Sequence, residues 1–168
     1  MLHRPGRAYE TLKRRGMDLV TVTDHDSIAA AEHLRRYPDF FTSVEVTCTL
    51  PAGTELHAGV YDISERQFVE IDRRRRDFAS FFAYVREQGL LCTANHIFSA
   101  ITGRRAAEDW SCIEQFRACE AQNGAIPSSS NEQARAWASS RGLAMIGGRV
   151  RQTGVPGRHP GAAPGSAR

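Results

Sequence analysis

Leu19-Val20-Thr21-Val22-Thr23-Asp24-His25-Asp26-Ser27 decides how this chain is read. Its β-branched run has the pattern of a buried strand. The run stops abruptly at Asp-His-Asp, just before an alanine-rich stretch with helical character. In α/β sheets and barrels, chemistry is placed at the C-terminal ends of strands. A histidine flanked by two carboxylates at such a place serves as a metal ligand or as a general base. Residues farther along the chain favour the metal.

Working outward, the spacing predicts a helix over residues 6–15, with Tyr9 and Leu12 on one face and Gly16 as its stop. A strand is expected over 18–23, and a helix over 27–36 starts at Ser27 and ends before Pro38. Further strands are expected over 40–48 and 54–61, separated by the Pro51-Ala52-Gly53 turn. In the second of these, Leu56, Ala58 and Val60 alternate with Glu55, His57 and Gly59. One long helix is predicted over 64–88, then strands over 90–94, 118–122 and 143–146, with helices over 107–116 and 130–140. Strands alternating with helices predict an α/β fold with a largely parallel sheet or barrel.

At 168 residues, 41% hydrophobic and 24% charged, the chain is sized for one globular domain with a real core. No apolar stretch is long enough to predict a membrane span, and Met1-Leu2-His3-Arg4-Pro5 lacks the apolar core of a secretion signal. A cytoplasmic location is expected. Cys48, Cys92, Cys112 and Cys119 are scattered without a CxxC pair, so they read as buried free thiols. The net charge of +3 comes from the end of the chain. Leaving out Arg149, Arg151, Arg158 and Arg168 leaves 18 of the 22 basic residues against 19 acidic ones. Such a body lacks the basic footprint of a nucleic-acid binder. The ordered domain is expected to span 1–148, and the Gly-, Pro- and Arg-rich segment 149–168 to be a disordered tail. Arg73-Arg74-Arg75-Arg76 reads as a solvated helix face, paired as Glu70–Arg74 and Asp72–Arg76, with Phe78, Phe81, Phe82 and Val85 as core.

Four polar residues stand at or near predicted strand ends: His25, Glu45, His57 and His96. Glu45 lies between Val44 and Val46, and burying an isolated carboxylate is costly unless it is paired or bound to a cation. Three histidines and one carboxylate from four strands converge on one face of a barrel. Neutral imidazoles with a bridging carboxylate suit Zn²⁺, Mn²⁺ or Fe²⁺.

The ordered set Thr23-Asp24-His25-Asp26, Val44-Glu45-Val46, Glu55-Leu56-His57, Asn95-His96 and Glu120-Ala121-Gln122-Asn123-Gly124 resembles the PHP (polymerase and histidinol phosphatase) domain. The resemblance implies a distorted (β/α)7 barrel with a cluster of divalent metal ions at its strand ends. It implies metal-dependent phosphoesterase activity on a small phosphorylated substrate. It makes His25, Glu45, His57 and His96 metal ligands, with Glu45 the bridge. Asp24 supports them, Glu120 and Asn123 lie near the pocket, and Asp24 and Glu120 are the catalytic candidates.

The chain departs from the family pattern in four places. No His-x-His precedes residue 19, and Arg149-Val150-Arg151-Gln152 follows Gly147-Gly148 where the family has Ser-Asp-x-His. Ile97 stands for a proline and Ser43 for a glycine. All basic residues but Lys13 are arginine, which suggests GC-rich coding DNA and a frameshift as the source of the tail. The expectation is therefore an incomplete barrel whose metal site is partly occupied and whose hydrolysis is impaired. The second reading is an inactive fragment of such an enzyme.

Overall fold

The computed structural model describes residues 5–103 and 105–148. Its centre is a single five-stranded sheet in the order β1-β2-β3-β4-β5. The strands are β1 Ser43–Thr49, β2 Glu55–Tyr61, β3 Leu91–Asn95, β4 Ala118–Asn123 and β5 Ala144–Gly148. Among the described residues six α-helices accompany it: α1 Pro5–Arg14, α2 Ala29–Leu34, α3 Glu65–Arg74, α4 Phe78–Glu87, α5 Trp110–Ile113 and α6 Ser128–Arg141. The α/β class agrees with the sequence. Barrel closure is not seen among the described residues, where the element is an open sheet. No described helix is long and apolar enough to cross a membrane. The expected tail over 149–168 lies outside the described residues.

The sheet is mixed rather than largely parallel. β1–β2 and β2–β3 are antiparallel, and β3–β4 and β4–β5 are parallel. The first reversal follows from chain length. Only the turn through Pro51 and Gly53 separates β1 from β2, whereas a parallel pair needs a crossover of roughly a dozen residues or more. Residues 18–23 do not form the expected strand. They bridge the segment leading into β1, Val20 with Phe40, and the chain then touches β1 itself through a second isolated parallel bridge, His25 with Glu45. Leu19 points outward at 68% exposure, so this run is half-solvated edge and not buried strand.

Side-chain alternation separates the two faces of the sheet. Val44, Val46, Cys48, Leu56, Ala58, Val60, Ala94 and Cys119 are buried in one continuous core with Ile71, Phe78, Phe81, Val85 and Phe116. Each fully buried Leu or Phe there contributes about 1.5–3 kcal/mol. The predicted helix over 64–88 is two helices. Ser64 opens α3 with a capping box to Gln67, and Asp77 caps α4 by accepting from the Ala79 and Ser80 amides. The break turns α4 so that Phe78, Phe81, Phe82 and Val85 all face the core.

Candidate metal centre

The opposite face of the sheet is polar and nearly as well covered. Ser43, Glu45, His57, Thr93, Asn95, His96, Glu120 and Asn123 are all buried. Strand register explains the convergence. Glu45 stands opposite Gly59, and His57 stands opposite both Thr47 and Asn95. Glu45 and His57 are thus diagonal neighbours on one face, and β3 delivers Asn95 and His96 beside them.

His25 reaches the site from the edge segment. The Glu45 amide donates to the Asp24 carbonyl at 3.1 Å, and the Asp26 amide donates to the Glu45 carbonyl at 2.8 Å. His25 is held between these two bonds, next to Glu45. Asp26 adopts a left-handed conformation, φ 50°, which Asp tolerates better than most residues. Its Oδ1 accepts from the Thr47 amide at 2.7 Å, and Arg75 lies 3.3 Å from its Oδ2. Arg75 also donates to the Thr47 carbonyl and to Asp72. The arginine run is therefore not a uniform solvated face. Asp72 pairs with Arg75 and not Arg76, because α3 ends before position 76 can lie one turn above it. Glu70–Arg74 forms as expected.

His25, Glu45 and His57 each place one ligand-type atom within 4.8 Å of the others. His25 Nε2 is 3.3 Å from Glu45 Oε2. Two imidazoles and a carboxylate are a donor set for zinc or another divalent transition metal. His96 adjoins this trio, with Nε2 at 2.7 Å from His57 Nδ1 and 3.7 Å from Glu45 Oε1. Its other nitrogen, Nδ1, lies 2.9 Å from Glu120 Oε2. The four histidine and glutamate residues named from the sequence are therefore in one place.

Hydrogen-bond direction assigns the tautomers. Glu120 accepts, so His96 carries its proton on Nδ1 and presents a lone pair at Nε2. That lone pair accepts from His57 Nδ1–H, which leaves His57 Nε2 with a free lone pair. Burial, reinforced by His96 and His25, pulls the His57 pKa down to about 4, so the ring is neutral near pH 7. A neutral imidazole with one fixed lone pair is the form a metal needs. His96 itself sits at φ 34°, a strained backbone for a non-glycine residue at the end of a strand.

Glu120 sits behind His96 rather than at an open surface. Asn123 Nδ2 donates to both of its oxygens at 3.0 Å, and the Asn123 amide donates to Asn131 Oδ1 on α6. A Cβ on Gly148 would fall 2.4 Å from Glu120 Oε1, so any larger residue there would displace this carboxylate oxygen. Asp24 is turned toward α2, where its Oδ2 accepts from the Ala30 amide at 3.3 Å. The sequence reading missed Thr93 and Tyr61 and gave Asn95 no role. Their signal was present in the alternation of β2 and β3, which puts Tyr61, Thr93 and Asn95 on the face of His57.

No protein-family model matches the chain, and no curated protein matches it. Solved structures share its fold. A provisionally assigned metal-dependent phosphoesterase from Bifidobacterium adolescentis superposes with a TM-score of 0.63 at 13% identity, covering 86% of this chain and 80% of that one. An amidohydrolase from Chromobacterium violaceum, solved with bound sulfate and no metal, gives a TM-score of 0.55 at 14% identity, with the same coverage of 86% and 80%. The fold is of the kind found in such hydrolases.

Proposed function

We propose that the chain is a metal-dependent hydrolase of phosphate esters, with His25, Glu45 and His57 holding a divalent ion. The observation that carries this reading is the trio itself, because Glu45 is only 4% exposed and, among the described residues, its ion-pair partners are histidines rather than Lys or Arg. A buried carboxylate whose nearest partners are imidazoles and an amide is costly unless a cation joins it. A bound metal would lower the pKa of a coordinated water and offset negative charge on phosphoryl oxygens. The protein's own groups do the rest. Glu45 supplies the negative charge, His57 presents its lone pair through the His96–Glu120 relay, and the Asp24 and Asp26 backbone bonds keep His25 in reach.

The two structural relatives support hydrolysis as the class of reaction. One binds sulfate, which has the shape and charge of a phosphoryl group. Glu120 is better placed to set the His96 tautomer than to exchange protons with a substrate, since both its oxygens accept from Asn123. The test is hydrolysis of p-nitrophenyl phosphate by the purified chain with Mn²⁺ or Zn²⁺ added. Turnover that requires metal and falls at least ~100-fold in Glu45→Gln is expected. Equal rates in Glu45→Gln and the parent chain would refute the proposal.

A further inference from the structure

We propose that Asn95 is a positioning residue for Glu45, fed by a one-way hydrogen-bond relay from Tyr61 through Thr93. This rests on the metal reading of the site above. The geometry determines every proton in the relay. Asn95 Nδ2 donates to Glu45 Oε1 at 2.9 Å. The reverse amide orientation would set Oδ1 against a carboxylate oxygen, so Glu45 fixes which way Asn95 points. Asn95 Oδ1 must then accept, and Thr93 Oγ1 donates to it at 2.7 Å. The single Thr93 hydroxyl proton is thereby committed. The Tyr61 hydroxyl, 3.3 Å from Thr93 Oγ1, is left as the donor. All three donors point toward Glu45.

The sheet is built to admit this chain of groups. Gly59 lies opposite Glu45 on one side and Thr93 on the other. A Cβ at Gly59 would sit 2.5 Å from the Tyr61 hydroxyl and 2.7 Å from Thr93 Oγ1. The tyrosine hydroxyl occupies the space that only glycine leaves free. Burial and the nearby Glu120 and Glu45 charges raise the Tyr61 pKa, which keeps its proton in place for donation.

The consequence is a division of labour between the two oxygens of Glu45. Oε1 is capped by a neutral amide, which fixes the plane of the carboxylate without cancelling its charge. Oε2 stays directed at His25 Nε2, 3.3 Å away, where a cation would be shared. A lysine or arginine at position 95 would fix the plane equally well but would repel the cation. Supporting groups of this kind typically change metal affinity by about 10–100-fold.

The experiment is calorimetric titration of Mn²⁺ into the full chain, with urea unfolding of each metal-free protein in parallel. Asn95→Ala is expected to weaken Mn²⁺ binding by about 10–100-fold. Thr93→Val, which keeps the shape and loses the hydroxyl, is expected to weaken it about 10-fold, while Thr93→Ser keeps it within about twofold. A packing role alone for Thr93 would reverse that order, because valine keeps the methyl that serine loses. If Asn95→Ala does not fold, the valine–serine pair carries the test. Wild-type Mn²⁺ affinity in both Asn95→Ala and Thr93→Val would overturn the relay and leave the metal centre standing. Failure of the unaltered chain to take up Mn²⁺ would overturn both.

Discussion

The two faces of one sheet are buried almost equally and held by opposite means. Val44, Val46, Leu56, Ala58 and Val60 lie on one face at no more than 1% exposure. Glu45 and His57, their neighbours in the same strands, and Asn95 on β3 lie on the other at no more than 8%. The apolar face is cohesive through many weak contacts, so no single pair decides the fold. The polar face is a set of directed bonds, and losing one partner strands the next. A substitution on the first face should therefore cost stability and spare the site. One on the second should cost the site more than the fold.

The largest effect that could break this contrast lies in the core. Phe81 is fully buried beneath the sheet. Phe81→Ala is expected to lower unfolding free energy by about 3–5 kcal/mol, measured by urea denaturation. The fraction still folded should bind Mn²⁺ with unchanged affinity. A parallel loss of affinity would show that the faces are not independent. The converse is His57→Ala, expected to weaken Mn²⁺ binding at least ~100-fold in calorimetry while the metal-free chain stays folded by circular dichroism. Wild-type affinity in that variant would remove His57 from the site.

Acidity sharpens the same comparison. His57 titrates near 4 when folded and near 6.5 when unfolded, so the unfolded chain takes up its proton first as pH falls. The metal-free protein should lose stability between about pH 6.5 and 4, and His57→Phe should flatten that part of the profile. An unchanged slope in the variant would assign the dependence elsewhere. A smaller effect is expected at Arg75, which ties Asp26 to β1. Arg75→Ala should cost about 1 kcal/mol or less in urea unfolding, being a partly exposed pair. It should weaken Mn²⁺ binding by less than about 10-fold, because His25 keeps its backbone bonds to Glu45.

What the sequence could disclose followed from local rules. The alternation over residues 55–61 places His57 on the face away from Leu56 and Val60, and the structure agrees. Glu45 between two valines marked a buried carboxylate for the same reason. Other features depended on distant partners. The break at Asp77 has no glycine or proline to announce it, only an aspartate that could equally sit within a helix. The antiparallel β2–β3 pair is joined through two helices, so no turn chemistry betrays its direction. Leu19–Thr23 has the composition of a buried strand, yet exposure of an edge is decided by what packs on it. The partnership of Glu120 with His96 bridges residues 24 apart in sequence and appears only when β4 lies beside β3.

The most direct test of the polar face as a metal centre is zinc X-ray absorption on the chain loaded with one equivalent of Zn²⁺. Nitrogen and oxygen ligands at about 2.0–2.1 Å, an outer-shell signature of two imidazoles, and loss of one imidazole in His57→Ala are expected. A spectrum without imidazole scattering, or one that His57→Ala leaves unchanged, would contradict it.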